Sequence, residues 1–274
     1  MRRPTKNRVE RPREDPAAAA DARSFRPRFG RPDAMTSRLE RNLDGIRQRI
    51  GEAAARAGRT ADDVCLVAVT KTVPAAVVRD LAGLGQRDFG ENRLQIAEPK
   101  IAELAEAFAD LDPPPRWHWI GNLQRNKVGR TLPLFSLMHS IDSTKLAGAI
   151  DRAAGAREKA VEGLLQVNTS GEETKGGFSP AELLESYGQC RTLANLRVRG
   201  LMTMAPYTDD AESIRPFFRR LRELRDELRD RYPDDTPLGL SMGMSGDYEV
   251  AIEEGADWIR VGSALYEGIE TPAS

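Results

Sequence analysis

The sequence predicts a single α/β domain, a (β/α)8 barrel of the TIM type with an extra N-terminal helix. Eight short β-rich runs alternate with helical segments over about 240 residues, and closing such a sheet into a barrel satisfies every strand edge. The alternative is a doubly wound open sheet. No GxGxxG follows the first run and GxxxxGK[ST] is absent from the chain, which disfavours the dinucleotide and P-loop versions of that alternative.

The chain begins with a tail of different composition. Residues 1–34 are rich in Arg, Pro and Ala and carry ten basic and five acidic side chains, whereas the whole protein of 274 residues has a net charge of -1. The tail has no amphipathic period, so we expect it to be disordered and residues 35–274 to form the barrel. An anionic docking arm and a transit peptide are alternatives, but translation from an upstream start codon is favoured because Met35 directly precedes a helix start.

Hydrophobic periodicity defines the elements in order. The extra helix ends at Gly58 and carries an apolar stripe at spacings of three and four, formed by Leu39, Leu43, Ile46, Ile50 and Ala54. The predicted strands are 64–70, 87–90, 117–120, 137–141, 163–168, 198–203, 238–241 and 258–262. The helical segments between them include 74–84, 92–108, 143–156, 180–191, 211–231 and 247–255. Each is long enough for a right-handed crossover, and the segment after Ile120 is the shortest.

Composition excludes several classes of function. The near-neutral charge and an aromatic fraction of 6% argue against nucleic-acid binding. Cys65 and Cys190 are too few for a disulfide framework, and no apolar run reaches the ~20 residues of a membrane helix, so we expect a soluble cytoplasmic protein. His118 and His139 have no paired cysteines nearby, so we expect no metal site and two satisfied interior histidines.

In a barrel, chemistry lies on the loops that follow the carboxyl ends of the strands. Lys71 follows Cys65, Val67 and Val69 at period two, so its side chain should point into the barrel mouth. Burial there would favour the neutral amine, which is a competent nucleophile toward an aldehyde. The alternative is a surface lysine that ends its strand.

A second signal follows the last two predicted strands. The segment SMGMSGD supplies the hydroxyls of Ser241 and Ser245 and a backbone that can approach a ligand closely at Gly243. Gly262 and Ser263 begin another short helix, and barrels often bind a phosphate after strands seven and eight. The alternative is a helix N-cap formed by Ser245 or Asp247.

Arg260 is the third signal. Its neighbours Ile259 and Val261 should face the helices, which leaves Arg260 inside the barrel in need of an acceptor. A ring nitrogen and a structural ion pair are both suitable acceptors. An amine, a phosphate site and an arginine around one mouth suit pyridoxal 5'-phosphate (PLP), with Lys71 as the Schiff-base lysine.

Motifs along nearly the whole chain strengthen this interpretation. In order they are NLDGIRQRI, LVAVTKTVP, FGENRLQ, WHWIGNLQRNKV, HSIDS, LLQVNTSGEETKGGF, RGLMTMAP, LSMGMSGDYEVAI and GADWIRVGSALYEG, and they span residues 42–268. With these motifs the sequence resembles the pyridoxal phosphate homeostasis protein family, whose members are similar to the N-terminal domain of alanine racemases. One departure is Lys175-Gly176-Gly177, where relatives often have Lys-Ser-Gly.

The resemblance implies a barrel without the second β domain of true alanine racemases. It implies that PLP is bound on Lys71, with Arg260 near the pyridine nitrogen. The phosphate would be held by the SMGMS and RVGS segments, which contain Ser241, Gly243, Ser245, Gly262 and Ser263. Asn92 and Asn168 follow the second and fifth strands, where they could hydrogen-bond the ring hydroxyl or equally cap turns.

The resemblance also implies a function: carrying or buffering PLP and supporting vitamin B6 and amino-acid homeostasis, without established catalysis. An arginine opposes protonation of the ring nitrogen and so weakens PLP as an electron sink. No second domain is expected to supply an acid, and water should reach the open face. We therefore expect a monomeric carrier that passes PLP to apoenzymes. The alternative is a PLP-dependent amino-acid racemase of low activity.

Overall fold

The computed structural model describes residues 34–172, 175–235 and 238–269, which form a closed barrel of eight parallel strands in chain order. The strands are β1 Cys65–Val69, β2 Asp88–Glu91, β3 Arg116–Trp119, β4 Leu137–Ile141, β5 Val161–Gln166, β6 Leu196–Met202, β7 Gly239–Ser241 and β8 Trp258–Val261. Because β1 pairs with both β2 and β8, the ring is closed. The predicted (β/α)8 barrel is confirmed and the open-sheet alternative is wrong.

The helices surround this barrel. They are α1 Ala34–Arg56, α2 Ala75–Gly83, α3 Leu94–Phe108, α4 Val128–Thr131, α5 Thr144–Gly155, α6 Pro180–Arg191, α7 Arg215–Arg231 and α8 Tyr248–Glu253. The predicted weak segment after Ile120 contains only the four-residue α4, preceded by a 3-10 turn. Another 3-10 turn, Ala211–Ile214, delays the start of α7 relative to the predicted 211–231.

The extra N-terminal helix α1 has the predicted buried stripe, since Leu39, Leu43, Ile46, Ile50 and Ala54 are all buried. Its polar face is also anchored. Asn42 Nδ2 donates to the carbonyl oxygens of Leu265 (2.9 Å) and Glu267 (3.0 Å), which ties α1 to the segment after β8. Disorder was predicted for residues 1–34; residues 1–33 lie outside the described residues, and Ala34 is the first residue of α1.

Strand alternation divides the core into two parts. Leu66 and Ala68 of β1 belong to the large apolar cluster that also contains the inward faces of the helices. A small second cluster of Leu137, Leu164 and Met202 has Trp258 packed against it. Beside it the barrel also buries the polar residues His118, His139, Ser241 and Arg260. None of the helices within the described residues combines the length and apolarity that crossing a membrane requires.

Gly200 is a point of very close backbone approach between β6 and β7. It pairs with Gly239, next to an irregularity where β5 and β6 change register. A Cβ atom added at position 200 would collide with the carbonyl oxygen of Gly239. By contrast, a Cβ atom at Gly45 in α1 would meet no atom within 4 Å.

Gly200→Ala should therefore lower the free energy of unfolding by about 3 kcal/mol, because the backbone of β7 would have to move. The matched Gly45→Ala variant should raise it by ~0.5–1 kcal/mol through helix propensity. Urea unfolding of both variants measures these changes. Equal effects of the two substitutions would contradict this account of the β6–β7 contact.

Candidate functional site

A cavity of about 460 Å³ opens at the carboxyl ends of the strands. Its volume lies in the range of ~300–1,000 Å³ typical of small-molecule sites. The lining residues come from the ends of β1, β2, β3 and β8 and from the loops after β6 and β7. They are Val69, Lys71, Thr72, Asn92, Ile120, Met204, Pro206, Tyr207, Thr208, Met244, Ser245, Gly246, Asp247, Arg260, Gly262 and Ser263.

Lys71 lines this cavity, but its surroundings differ from the expectation. The strand β1 ends at Val69, and Lys71 lies in the turn that follows, with an exposed side chain. The predicted burial of Lys71 is therefore wrong, because the turn carries it to the rim of the mouth. Val67 and Val69 are buried as expected, and Val69 lies beside Gly262.

A buried ion pair fixes the backbone that leads to Lys71. Lys100 Nζ of α3 donates to Glu91 Oε1 (2.6 Å) and to the carbonyl oxygen of Thr70 (2.7 Å). Thr70 Oγ1 donates to the same Glu91 oxygen at 2.7 Å. All three residues are buried. Lys100 was not predicted from the sequence, although its spacing from the inward positions Ala97 and Leu104 of α3 indicated that this lysine faces the barrel.

Asn92 follows Glu91 at the end of β2 and presents an unused acceptor. Its Oδ1 atom is buried without a hydrogen-bond partner, and the residue lines the cavity. A buried acceptor without a donor is costly, so this atom suits a ligand hydroxyl. The residue packs closely against Gly121, where an added Cβ atom would collide with the Asn92 backbone.

The loops after β7 and β8 form a polar cradle. Ser245 Oγ accepts from the backbone N–H groups of Gly262 (3.1 Å) and Ala264 (3.4 Å), which joins the two loops. Among the described residues, the N–H groups of Ser245, Gly246 and Ser263 have no acceptor. Exposed N–H groups in adjoining loops are suited to an anion such as a phosphate.

The capping alternative for this segment is not observed. Asp247 occupies the position before α8 but makes no side-chain bond to the first helical amides. Its Oδ1 atom instead accepts from the Met244 N–H. Burial raises the pKa of Asp247, although the Met244 N–H and the charge of Arg260 oppose this shift.

Two residues expected in the phosphate cradle do not line the cavity. Gly243 has a φ of 94°, and an added Cβ atom would lie 2.6 Å from the Ala251 Cβ atom, so this glycine allows the loop to pack on α8. Ser241 is fully buried inside the barrel, where its hydroxyl contacts His139 and Arg260. Strand alternation turns Ser241 inward although it is close in sequence to the cradle.

Arg260 lies beneath the cavity as predicted, with only 5% of its surface exposed. Its guanidinium donates to Ser241 Oγ (2.5 Å) and to the carbonyl oxygen of Thr203 (2.9 Å). Among the described residues no carboxylate lies within ion-pair distance, so the predicted alternative of a structural ion pair is not observed. Burial lowers the pKa of Arg260 to about 10, opposed by the charge of Asp247, so the side chain stays cationic at neutral pH.

Asn168 is not part of the cavity lining. Its Oδ1 atom accepts from Ser170 Oγ (3.1 Å) and the Gly171 N–H (3.0 Å), so it organises the loop after β5. This matches the turn-capping alternative. Farther along that loop, a Cβ atom at Gly176 would meet only atoms at 3.8 Å or beyond, so the departure from Lys-Ser-Gly needs no change of backbone.

Met204 and Tyr207 belong to the rim of the cavity, although neither was predicted as a site residue. Tyr207 and Met204 are exposed by 94% and 37% on the loop after β6. The sequence did contain a signal for these residues, since Met204 and Tyr207 follow closely after the predicted strand 198–203. No group of three or more potential metal ligands occurs within the described parts of the chain.

Comparisons with known proteins found one matching family model and several similar proteins. A family model described as the alanine racemase N-terminal domain matches residues 41–269. A pyridoxal phosphate homeostasis protein of Aquifex aeolicus is 44% identical over 82% of this chain and 95% of its own length. One from Pseudomonas aeruginosa is 42% identical over 84% of this chain and 95% of its own length. The solved structure of PipY of Synechococcus elongatus with PLP bound has a TM-score of 0.72 at 36% identity and covers 83% of this chain and 99% of PipY.

Lys100→Met should lower the free energy of unfolding by ~3–5 kcal/mol, because Glu91 would remain buried without its cation. The double variant Glu91→Gln with Lys100→Met should lose markedly less, since no uncompensated charge remains. Denaturant unfolding of the two single variants and the double variant measures the coupling. A double variant that loses the sum of the single effects would contradict this role for the pair.

Proposed function

The chain belongs to the pyridoxal phosphate homeostasis protein family, and on this basis we propose that it binds PLP in the cavity at the barrel mouth. The observation that carries the proposal is the meeting of four complementary groups around one cavity of suitable volume. These are the amine of Lys71, the unpaired acceptor of Asn92, the free N–H groups of the cradle and the cation Arg260. The protein would carry or buffer PLP and so support vitamin B6 and amino-acid homeostasis.

Each group matches one part of the cofactor. The Lys71 amine would condense with the aldehyde, whose oxygen would leave as water, and the N–H groups of Ser245, Gly246 and Ser263 would donate to the phosphate. Asn92 would accept from the ring hydroxyl. Arg260 can only donate hydrogen bonds, so it selects a ring nitrogen that carries no proton. Bound PLP supplies an electron sink, and an unprotonated ring nitrogen makes that sink a weak one.

The open mouth supports a carrier over a catalyst. The side chain of Lys71 is exposed, and the apolar residue Tyr207 at the rim is almost entirely exposed, so water can reach the amine. Water access favours reversible exchange of the aldehyde over proton abstraction from a substrate. The proposal includes transfer of PLP to apoenzymes by a monomeric protein in the cytoplasm. Its alternative is a weakly active PLP-dependent racemase.

Lys71→Ala should abolish covalent retention of PLP. Protein incubated with PLP and reduced with borohydride should carry the cofactor mass on the peptide that contains Lys71. The matched control is Lys159→Ala, which removes an exposed lysine from the turn before β5 at the opposite end of the barrel. Peptide mass spectrometry measures both. Unchanged labelling of the Lys71→Ala variant would overturn the assignment of Lys71.

The carrier and racemase hypotheses differ in their effect on amino acids. Incubation of the PLP-loaded protein with each L-amino acid in deuterated water should give no more Cα exchange than free PLP gives. NMR follows the loss of the Cα proton signal. Exchange at catalytic rates that disappears in Lys71→Ala would contradict the carrier and establish the racemase.

A further inference from the structure

Five side chains form a continuous hydrogen-bonded chain through the inside of the barrel. Arg260 Nη1 lies 2.5 Å from Ser241 Oγ, and that hydroxyl lies 2.8 Å from His139 Nδ1. His139 Nε2 lies 2.9 Å from His118 Nδ1. His118 Nε2 lies 2.8 Å from Asp88 Oδ1. The hydrogen-bonded chain joins Arg260 at the cavity to the Asp88 carboxylate in β2. Its five members come from five different strands of the barrel.

The two ends of the chain have fixed roles. Arg260 can only donate, so Ser241 Oγ must accept from it. At the other end, Asp88 also accepts from Arg116 (2.9 Å). Burial opposes ionisation of Asp88, but the hydrogen bonds from His118 and Arg116 hold its pKa below the usual value, so it is an acceptor at neutral pH. His118 Nε2 must therefore carry a proton.

The middle of the chain then has one arrangement that satisfies every group. The Ser241 hydroxyl donates to His139 Nδ1, His139 Nε2 donates to His118 Nδ1, and His118 Nε2 donates to Asp88. In every hydrogen bond of the chain the donor is the member nearer to Arg260 and the acceptor is the member nearer to Asp88. Both histidines are then neutral, with the proton on Nε2. If His118 were doubly protonated, its Nδ1–H would donate to His139 Nε2, and His139 Nδ1–H would then donate to Ser241 Oγ. Ser241 would accept from both His139 and Arg260, and its own proton would have no acceptor among the described residues.

The electrostatic surroundings favour a neutral His139. The pKa of His139 lies well below its ordinary value because the residue is fully buried and because His118 and Arg260 are close. The charged or titratable groups around the chain are Arg260 and Asp247 at the cavity, Asp88 and Arg116 at the other end, and Cys65 of β1. Burial and the neighbouring Asp88 raise the pKa of Cys65 to about 12, so the thiol adds no charge.

We propose that His139 and His118 are positioning residues for Arg260, resting on the proposed function of the cavity. The pair orients the Ser241 hydroxyl so that its lone pairs face the guanidinium. Two of the five guanidinium N–H groups are then committed to Ser241 and Thr203, and the remaining donors are held toward the cavity. The aligned bonds polarise one another and so couple Asp88 to Arg260, which has no carboxylate within ion-pair distance among the described residues. The ligand that this arrangement selects is an unprotonated ring nitrogen.

The proton positions can be measured without any cofactor. The protein has two histidines in its whole sequence, so a long-range proton–nitrogen NMR spectrum of the 15N-labelled protein shows two imidazole ring systems. Both should be neutral Nε2–H tautomers at pH 7, and His139 should remain neutral as the pH falls through the reference value of about 6.5, since burial lowers its pKa well below that value. An imidazolium signal or an Nδ1–H tautomer at pH 7 would overturn the proposal.

The effect on Arg260 is measured by PLP binding. His139→Phe keeps a ring of similar size but removes both hydrogen bonds, and it should weaken PLP binding about tenfold and shift the absorption band of the bound cofactor. His118→Phe should change the same band in the same direction, although His118 does not contact Arg260. The control Leu164→Ala perturbs packing inside the barrel but removes no hydrogen bond of the chain, and it should leave the band in place.

The possible failures are distinguishable. If the wild-type protein binds no PLP, the proposed function fails, and the NMR tautomers still decide the direction of the chain. If the wild type binds PLP and His139→Phe binds it equally well with an unchanged band, the positioning role alone is wrong. A shifted band in Leu164→Ala equal to that in His139→Phe would likewise overturn the positioning role, because general loosening of the barrel would then explain the shift.

Discussion

The mouth of this barrel depends on the buried cation Arg260, which has no carboxylate within ion-pair distance in the described parts of the chain. Enclosing a guanidinium is unfavourable unless its donors are satisfied, and here a serine hydroxyl and a backbone carbonyl satisfy two of them. Arg260 also contributes to the lining of the cavity. The hydroxyl contacts His139, which is linked through His118 to Asp88, so in this proposal residues of β2, β3, β4 and β7 set the orientation of Arg260.

The rim is organised separately from the floor. Ser245 joins the loops after β7 and β8, and the pair Glu91–Lys100 joins the ends of β1 and β2. Both interactions hold the backbone of the loops in place. The groups available to a ligand, the Lys71 amine and the free N–H groups, remain accessible. Under the proposed function, the buried Arg260 would bind the pyridine ring and the exposed Lys71 could release the aldehyde. This combination suits a protein that carries PLP.

The fold was predictable because strand and helix periods alternate without interruption, and because a barrel places all strand ends at one mouth. Arg260 was predictable from period two alone. Ser241 was assigned to the phosphate because it is adjacent in sequence to Ser245, yet the strand β7 runs through Ser241 and turns its side chain inward. The partners of His118 and His139 could not be predicted, since they depend on the register between strands and on a contact across the barrel to β7. The exposure of Lys71 depended on the residue at which β1 ends, and strand ends are the least certain part of a sequence-based assignment.

The most direct measurement of the central claim is the nitrogen NMR shift of PLP labelled at its ring nitrogen and bound to the protein. The account predicts a single bound signal in the range of an unprotonated pyridine that accepts a hydrogen bond, and a loss of that hydrogen-bond shift in Arg260→Met. A pyridinium signal in the wild-type complex, or a signal that Arg260→Met leaves unchanged, would contradict it.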